Sequence, residues 1–152
     1  MNYEQFKERL IKSQEAVMLV AKYFEDHGYD VKVPKLVIAP HAVGAFSKYA
    51  DNGDLFVSKG TRNLIVEVKH VSVKFEYAWP YHIMIVNSYT GYNSKEPKPD
   101  LHIIVNRDST HFASIRKETY EHWVLKRIYD KYKEADLLFY TIEADKAKFF
   151  KL

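Results

Sequence analysis

The chain has 152 residues, enough for one domain with a real core, and its 47% apolar and 15% aromatic content excludes a disordered or low-complexity protein. It has no cysteine, which excludes a disulfide scaffold and a thiolate metal site and fits a cytoplasmic, intracellular setting. The net charge of +3 permits nucleic-acid binding without demanding it, and no apolar run approaches the ~20 residues of a membrane span.

In chain order, residues 3–27 predict a helix. Phe6, Leu10, Val17, Val20, Ala21 and Phe24 recur at spacings of three and four and form one apolar stripe, with a bend possible near Lys12. Gly28 is a good stop. Residues 29–40 read as a first strand, carried by Val31, Val33, Leu36, Val37 and Ile38, with Pro34 marking an edge or a bulge. Residues 41–52 read as a loop or a short helix. They lead directly into Asp54, so His41, Ser47, Lys48 and Tyr49 are candidates to touch a substrate.

Residues 53–71 organise the rest. Val57, Leu64, Ile65, Val66, Val68 and Val71 suit two buried strands, and Gly60 supplies the positive φ of a two-residue turn with Thr61. The facing pairs are then Lys59 with Arg62, Val57 with Leu64, and Asp54 with Glu67. Alternation puts Lys69 on the same face as Glu67. Two carboxylates directly opposite each other repel, and an apolar setting penalises an unpaired charge. A hard divalent cation between Asp54 and Glu67 removes that conflict. The competing reading makes Asp54 a strand start and Glu67–Lys69 a surface ion pair. His70 alternates away from Glu67 and Lys69, and with Lys74 it is a weaker candidate for contacting nucleic acid.

Beyond the hairpin, residues 74–80 are an aromatic connector. Residues 81–89 are short and apolar, read as strand, and residues 90–100, with Gly91, Pro97 and Pro99, as a loop. Residues 101–106 and 110–116 read as a strand pair across the turn Arg107–Asp108–Ser109. Residues 118–133 fit helix or strand, residues 137–142 a strand, and residues 144–150 a short helix or strand. The seven histidines form no close zinc pair, and neither a glycine-rich phosphate loop nor a nucleophile elbow is present.

Gly53-Asp54 followed by Glu67-Val68-Lys69 closing an apolar strand resembles the motif of the PD-(D/E)XK nuclease superfamily, with Gly53 where the motif has proline. The match covers roughly the first half of the chain. The resemblance implies an α/β (α+β) fold, a restriction-endonuclease-like core with the N-terminal helix packed on a mixed central β-sheet. It implies catalytic Asp54, Glu67 and Lys69, and Mg²⁺ or Mn²⁺ held by Asp54, Glu67, the carbonyl of Val68 and Glu15 of the first helix. The expected partner is nucleic acid, DNA ahead of RNA, with a homodimer as one way to act on two strands and no membrane contact. The function implied is a metal-dependent DNA endonuclease. The alternatives are a non-catalytic nucleic-acid-binding or accessory protein on the same fold, and a hydrolase of another phosphate ester.

Overall fold

The computed structural model describes residues 2–34 and 54–152, with Asp54 described in its backbone alone. The expected strand residues 35–40, and the substrate candidates His41, Ser47, Lys48 and Tyr49, lie outside the described residues.

The protein is mixed α+β, with an N-terminal helix packed on a mixed sheet. Helix α1 (Tyr3–Asp26) opens on a capping box, in which the Asn2 side chain accepts from Gln5 N at 2.8 Å and Gln5 Oε1 accepts from Asn2 N at 3.1 Å. It runs without a break past Lys12 and buries the stripe read from the sequence, with Ala16 added to it. It stops at Gly28, whose φ of 86° lies in the left-handed region that side chains avoid.

Among the described residues nine strands follow. Strands β1 (Asp30–Lys32), β2 (Asp54–Lys59), β3 (Arg62–His70), β5 (Leu101–Val105), β6 (His111–Arg116) and β9 (Lys148–Lys151) form a six-stranded sheet in the order β1-β2-β3-β5-β6-β9. Strands β4 (Ile83–Ser88), β7 (Val124–Asp130) and β8 (Ala135–Glu143) form a three-stranded sheet in the order β4-β8-β7. Among the described residues the one parallel pairing is β3 with β5. The chain makes that crossover through β4 and a short helix α2 (Tyr89–Asn93), so the segment expected to be a loop carries a helix at its start. Ser88, rather than the glycine and prolines that suggested a loop, decides this point: its Oγ accepts from Gly91 N at 3.0 Å and caps the turn. The ambiguous stretch after β6 resolves into both readings, a 3₁₀ turn (Lys117–His122) and then β7. The last segment does the same, with a 3₁₀ turn (Ala144–Lys146) and then β9.

The large sheet lies between two cores. On one face, Leu55, Val57, Val66, Val68, Ile103, Val105 and Phe112 pack against Ala16, Val17, Val20, Ala21 and Phe24 of α1. On the other, Ile104, Ala113 and Ile115 pack against Met84, Val86, Tyr140 and Ile142 of the small sheet and against Tyr92. Because strand side chains alternate, Glu67 and Lys69 stand on the second face, toward the small sheet and away from α1. Among the described residues no helix is long and apolar enough to cross a membrane.

Candidate functional site

The β2–β3 hairpin has the register read from its turn. Lys59 pairs with Arg62, Val57 with Leu64, and Asp54 with Glu67. Gly60, at φ 62°, alone of the two turn residues takes a positive φ, as a type II′ turn requires. Among the described residues the Asp54–Glu67 pair is the last of the β2–β3 ladder, while β3 continues through Val68 and Lys69 to His70. Ile65 O accepts from Asp100 N at 2.8 Å, and Val71 N donates to Val105 O at 3.0 Å. The odd-numbered residues of β3 therefore direct their backbone groups toward β5. By alternation, the Val68 carbonyl is directed to the other side, past the last described β2 residue.

Glu67 is buried, at 4% exposure, and among the described residues its carboxylate is met by groups from β4, from β5 and from the chain just beyond α2. Asn87, at the end of β4, donates from Nδ2 to Oε2 at 2.8 Å. His102, its register partner on β5, puts Nε2 3.1 Å from the same oxygen. Lys95, just beyond α2, brings Nζ to 3.5 Å from Oε1. Lys69 does not pair with Glu67; its ammonium donates to Asn87 Oδ1 at 3.0 Å. The surface ion pair that an E-x-K triplet usually makes is thus replaced by a buried polar cluster, in which the Asn87 amide stands between the anion and the cation.

The electrostatics follow from this enclosure. Burial pushes the Glu67 carboxyl up, but the His102 hydrogen bond and the Lys69, His102 and Lys95 charges outweigh it and bring it down to about 2. Burial holds His102 below its ordinary value, against the pull of Glu67. His102 is accordingly neutral near pH 7, with its proton on Nε2 toward Glu67. That leaves the buried Nδ1 without a hydrogen-bond partner. An imidazole binding a metal through Nε2 needs an acceptor for its other N–H, and His102 has none. The ring therefore fits a donor that orients Glu67, not a metal ligand. Its outer face is walled by aromatic rings, with centroids 5.9 Å away at Tyr92 and 5.7 Å at Trp123.

The sequence candidates divide as follows. The structure brings together the backbone of Asp54, Glu67 and Lys69. It does not bring Glu15 to them: Glu15 is exposed on α1, which packs on the opposite face of the sheet. His70 is also directed away from Glu67, and its Nε2 lies 3.1 Å from the Arg107 carbonyl oxygen, a structural contact. Lys74 is exposed in the connector after β3. Sequence reading missed Asn87, Lys95 and His102. Their one local signal is polarity out of place: Asn87 closes the apolar run Ile83–Val86, and His102 interrupts the buried strand β5.

Comparison of the chain with protein-family models, with curated proteins and with solved structures finds no match. The donors a hard cation would use are Glu67 Oε1, which Lys95 approaches at 3.5 Å, the Val68 carbonyl next in the strand, and Asp54 at the facing ladder position. Against this, Lys95 stands on the same oxygen, and among the described side chains no three His, Asp or Glu residues group to hold a metal ion. Magnesium or manganese, which keep several waters and use few carboxylates, would require Lys95 to yield Oε1.

Proposed function

We propose that this chain is a metal-dependent nuclease that hydrolyses phosphodiester bonds, acting on DNA ahead of RNA, and that its large sheet with α1 is a restriction-endonuclease-like core of the PD-(D/E)XK kind. The observation that carries the reading is the ladder pair Asp54–Glu67 at the end of β2, with the Lys69 ammonium two residues further along the same face. The carboxyl of Glu67, held at about 2, is an anion throughout the physiological range and so acts as a ligand, not as a proton donor.

Each residue then has a distinct task. Asp54, Glu67 and the Val68 carbonyl hold the cation, with Glu15 left out. A bound magnesium ion would supply Lewis-acid polarisation of the phosphate and acidify a water. Lys69, on the same face, orients the attacking water or offsets charge gathering on the phosphoryl oxygens. In the hydrolysis a water oxygen bonds to phosphorus, the bond from phosphorus to one sugar oxygen breaks, and that oxygen takes up a proton. Among the described residues Lys95 is the cation nearest the Glu67 oxygen that the metal would use.

The second reading, a non-catalytic nucleic-acid-binding or accessory protein on this fold, is favoured by one observation: both oxygens of Glu67 already have partners within the chain. The two readings part on a single experiment. The protein is incubated with Mg²⁺ or Mn²⁺ and with plasmid, linear, single-stranded and branched DNA, alongside RNA. The nuclease reading expects cleavage that Asp54→Asn abolishes. Binding of these nucleic acids with no cleavage under either metal would select the second reading.

A further inference from the structure

Within the site, the amide of Asn87 touches both groups of opposite charge. It is 2% exposed. Its Oδ1 accepts from Lys69 Nζ at 3.0 Å and from Ser88 N at 2.8 Å, which uses both lone pairs. Its Nδ2 donates to Glu67 Oε2 at 2.8 Å and lies 3.3 Å from His102 Nε2, both groups converging on that oxygen. The amide has one admissible orientation. Turned over, it would set its oxygen against a carboxylate and its NH₂ against an ammonium and a backbone N–H.

The backbone is shaped to deliver this side chain. The β4–β8 register shifts between Ile85 and Asn87, which puts a bulge in β4 one residue before the amide, and bulges re-aim side chains beside functional sites. The next residue, Ser88, caps α2, so the chain turns away immediately after Asn87. Gly91 leaves the room this needs. A Cβ at that position would stand 2.5 Å from Ser88 Oγ and 3.2 Å from Asn87 Oδ1. Packing alone does not call for such a device, because an apolar residue in the ordinary strand phase would fill the same space between the sheets.

We propose that Asn87 is the positioning residue of the site: its amide fixes the Glu67 carboxylate and the Lys69 ammonium relative to each other, with its NH₂ on the anion and its carbonyl on the cation. This rests on the nuclease reading for its chemical purpose and on the hydrogen bonds for its geometry. The Glu67 edge that faces a cation and the Lys69 group that faces water or phosphate are therefore set by one residue of the small sheet. Asn87 itself touches neither substrate nor metal.

The test uses the full chain with Asn87→Asp, Asn87→Leu and Gly91→Ala, and reads three quantities. The first is the ¹⁵Nζ signal of Lys69 in metal-free protein, the second is Mn²⁺ affinity by calorimetry, and the third is single-turnover cleavage of plasmid DNA. Asn87→Asp is isosteric and keeps the acceptor for Lys69, but it sets a second anion against Glu67. Cleavage is expected to fall about 10–100-fold, the usual loss when an outer-shell orienting group is removed. Mn²⁺ affinity should stay level or rise with the added carboxylate. A residue that only filled space would not split rate from metal affinity in this way. Asn87→Leu should shift or broaden the Lys69 signal and lose at least as much rate, and Gly91→Ala should lower the rate with the metal still bound. Wild-type cleavage by Asn87→Asp, or an unchanged Lys69 signal in Asn87→Leu, would overturn the assignment. If the unaltered protein cuts none of the nucleic acids, the nuclease reading fails separately, and the Lys69 signal alone then decides whether Asn87 positions it. If Asn87→Leu does not fold, Asn87→Asp carries the decision.

Discussion

Glu67 keeps a negative charge in a place where burial alone would neutralise it. Its carboxyl lies at about 2 rather than 4.5, so in that window the unfolded chain binds a proton that the folded chain refuses. The resulting stability is fully present above pH 4.5 and is lost as pH falls toward 2, and it amounts to about 3 kcal/mol. His102 acts in the same direction at milder acidity. Its pKa is lowered from 6.5, so stability also declines as pH falls below that value. Denaturant unfolding of the native protein and of Glu67→Gln across this range should show a gap that narrows between pH 4.5 and 2; a gap constant with pH would contradict this account. Lys69 differs, since among the described side chains its ammonium rests on an amide oxygen. That partner is neutral, so among those side chains its charge is not consumed by an ion pair. Lys69→Ala should bind metal and DNA nearly normally yet cut at least ~100-fold more slowly, because an interaction made only in the transition state appears in kcat. Lys69→Arg should not restore the rate, since a guanidinium differs in shape and does not give up a proton. Native-rate cleavage by Lys69→Ala, with Asp54→Asn inactive, would remove the lysine from the mechanism.

At the scale of elements, the hairpin was legible and the crossover was not. A two-residue turn fixes its own register, so Gly60 and the alternation of Val57, Leu64, Val66 and Val68 were enough to set Asp54 opposite Glu67. The parallel pairing of β3 with β5 has no such local signature. It joins Glu67 to His102 through a connection whose path depends on packing. The helix α2 was hidden for a related reason: Gly91, a turn signal in sequence, is there because the caps around Ser88 leave no room for a side chain. The glutamate on α1 was misplaced because helical phase gives the buried stripe of a helix but not the face of the sheet on which the helix lands. The hairpin also carries a testable tension. Facing carboxylates destabilise a ladder. Asp54→Asn should therefore leave the thermal midpoint of the metal-free protein unchanged or raise it, while abolishing the stabilisation that added Mn²⁺ gives the native chain. A fall of several kcal/mol in the metal-free protein would make Asp54 a structural residue instead.

Across the whole molecule, the large sheet separates two cores that serve different ends. The core with α1 supports the sheet from the face opposite the Glu67 and Lys69 side chains. The core between the sheets surrounds Glu67, Asn87 and His102, so its packing sets where those groups stand. Glu15 belongs to the first side. Glu15→Gln should therefore leave both metal affinity and cleavage unchanged, and a loss of either would mean that α1 reaches the site. The same division separates stability from function. Phe24→Ala truncates a buried residue of the α1 core and should cost about 3–5 kcal/mol. Ile142→Ala truncates a buried residue of β8 that is the register partner of Met84 on β4, and should cost about 2–5 kcal/mol. At a temperature where both variants remain folded, the two losses should not act alike. Phe24→Ala should cut DNA at close to the native rate and keep the Lys69 ¹⁵Nζ signal, because its cavity opens on the far side of the sheet. Ile142→Ala loosens the strand that carries the bulge and the Asn87 amide, so it should slow cleavage and move that signal even if it is the more stable of the two. Equal effects of the two variants on rate would show that the site depends on overall stability and not on which core supports it.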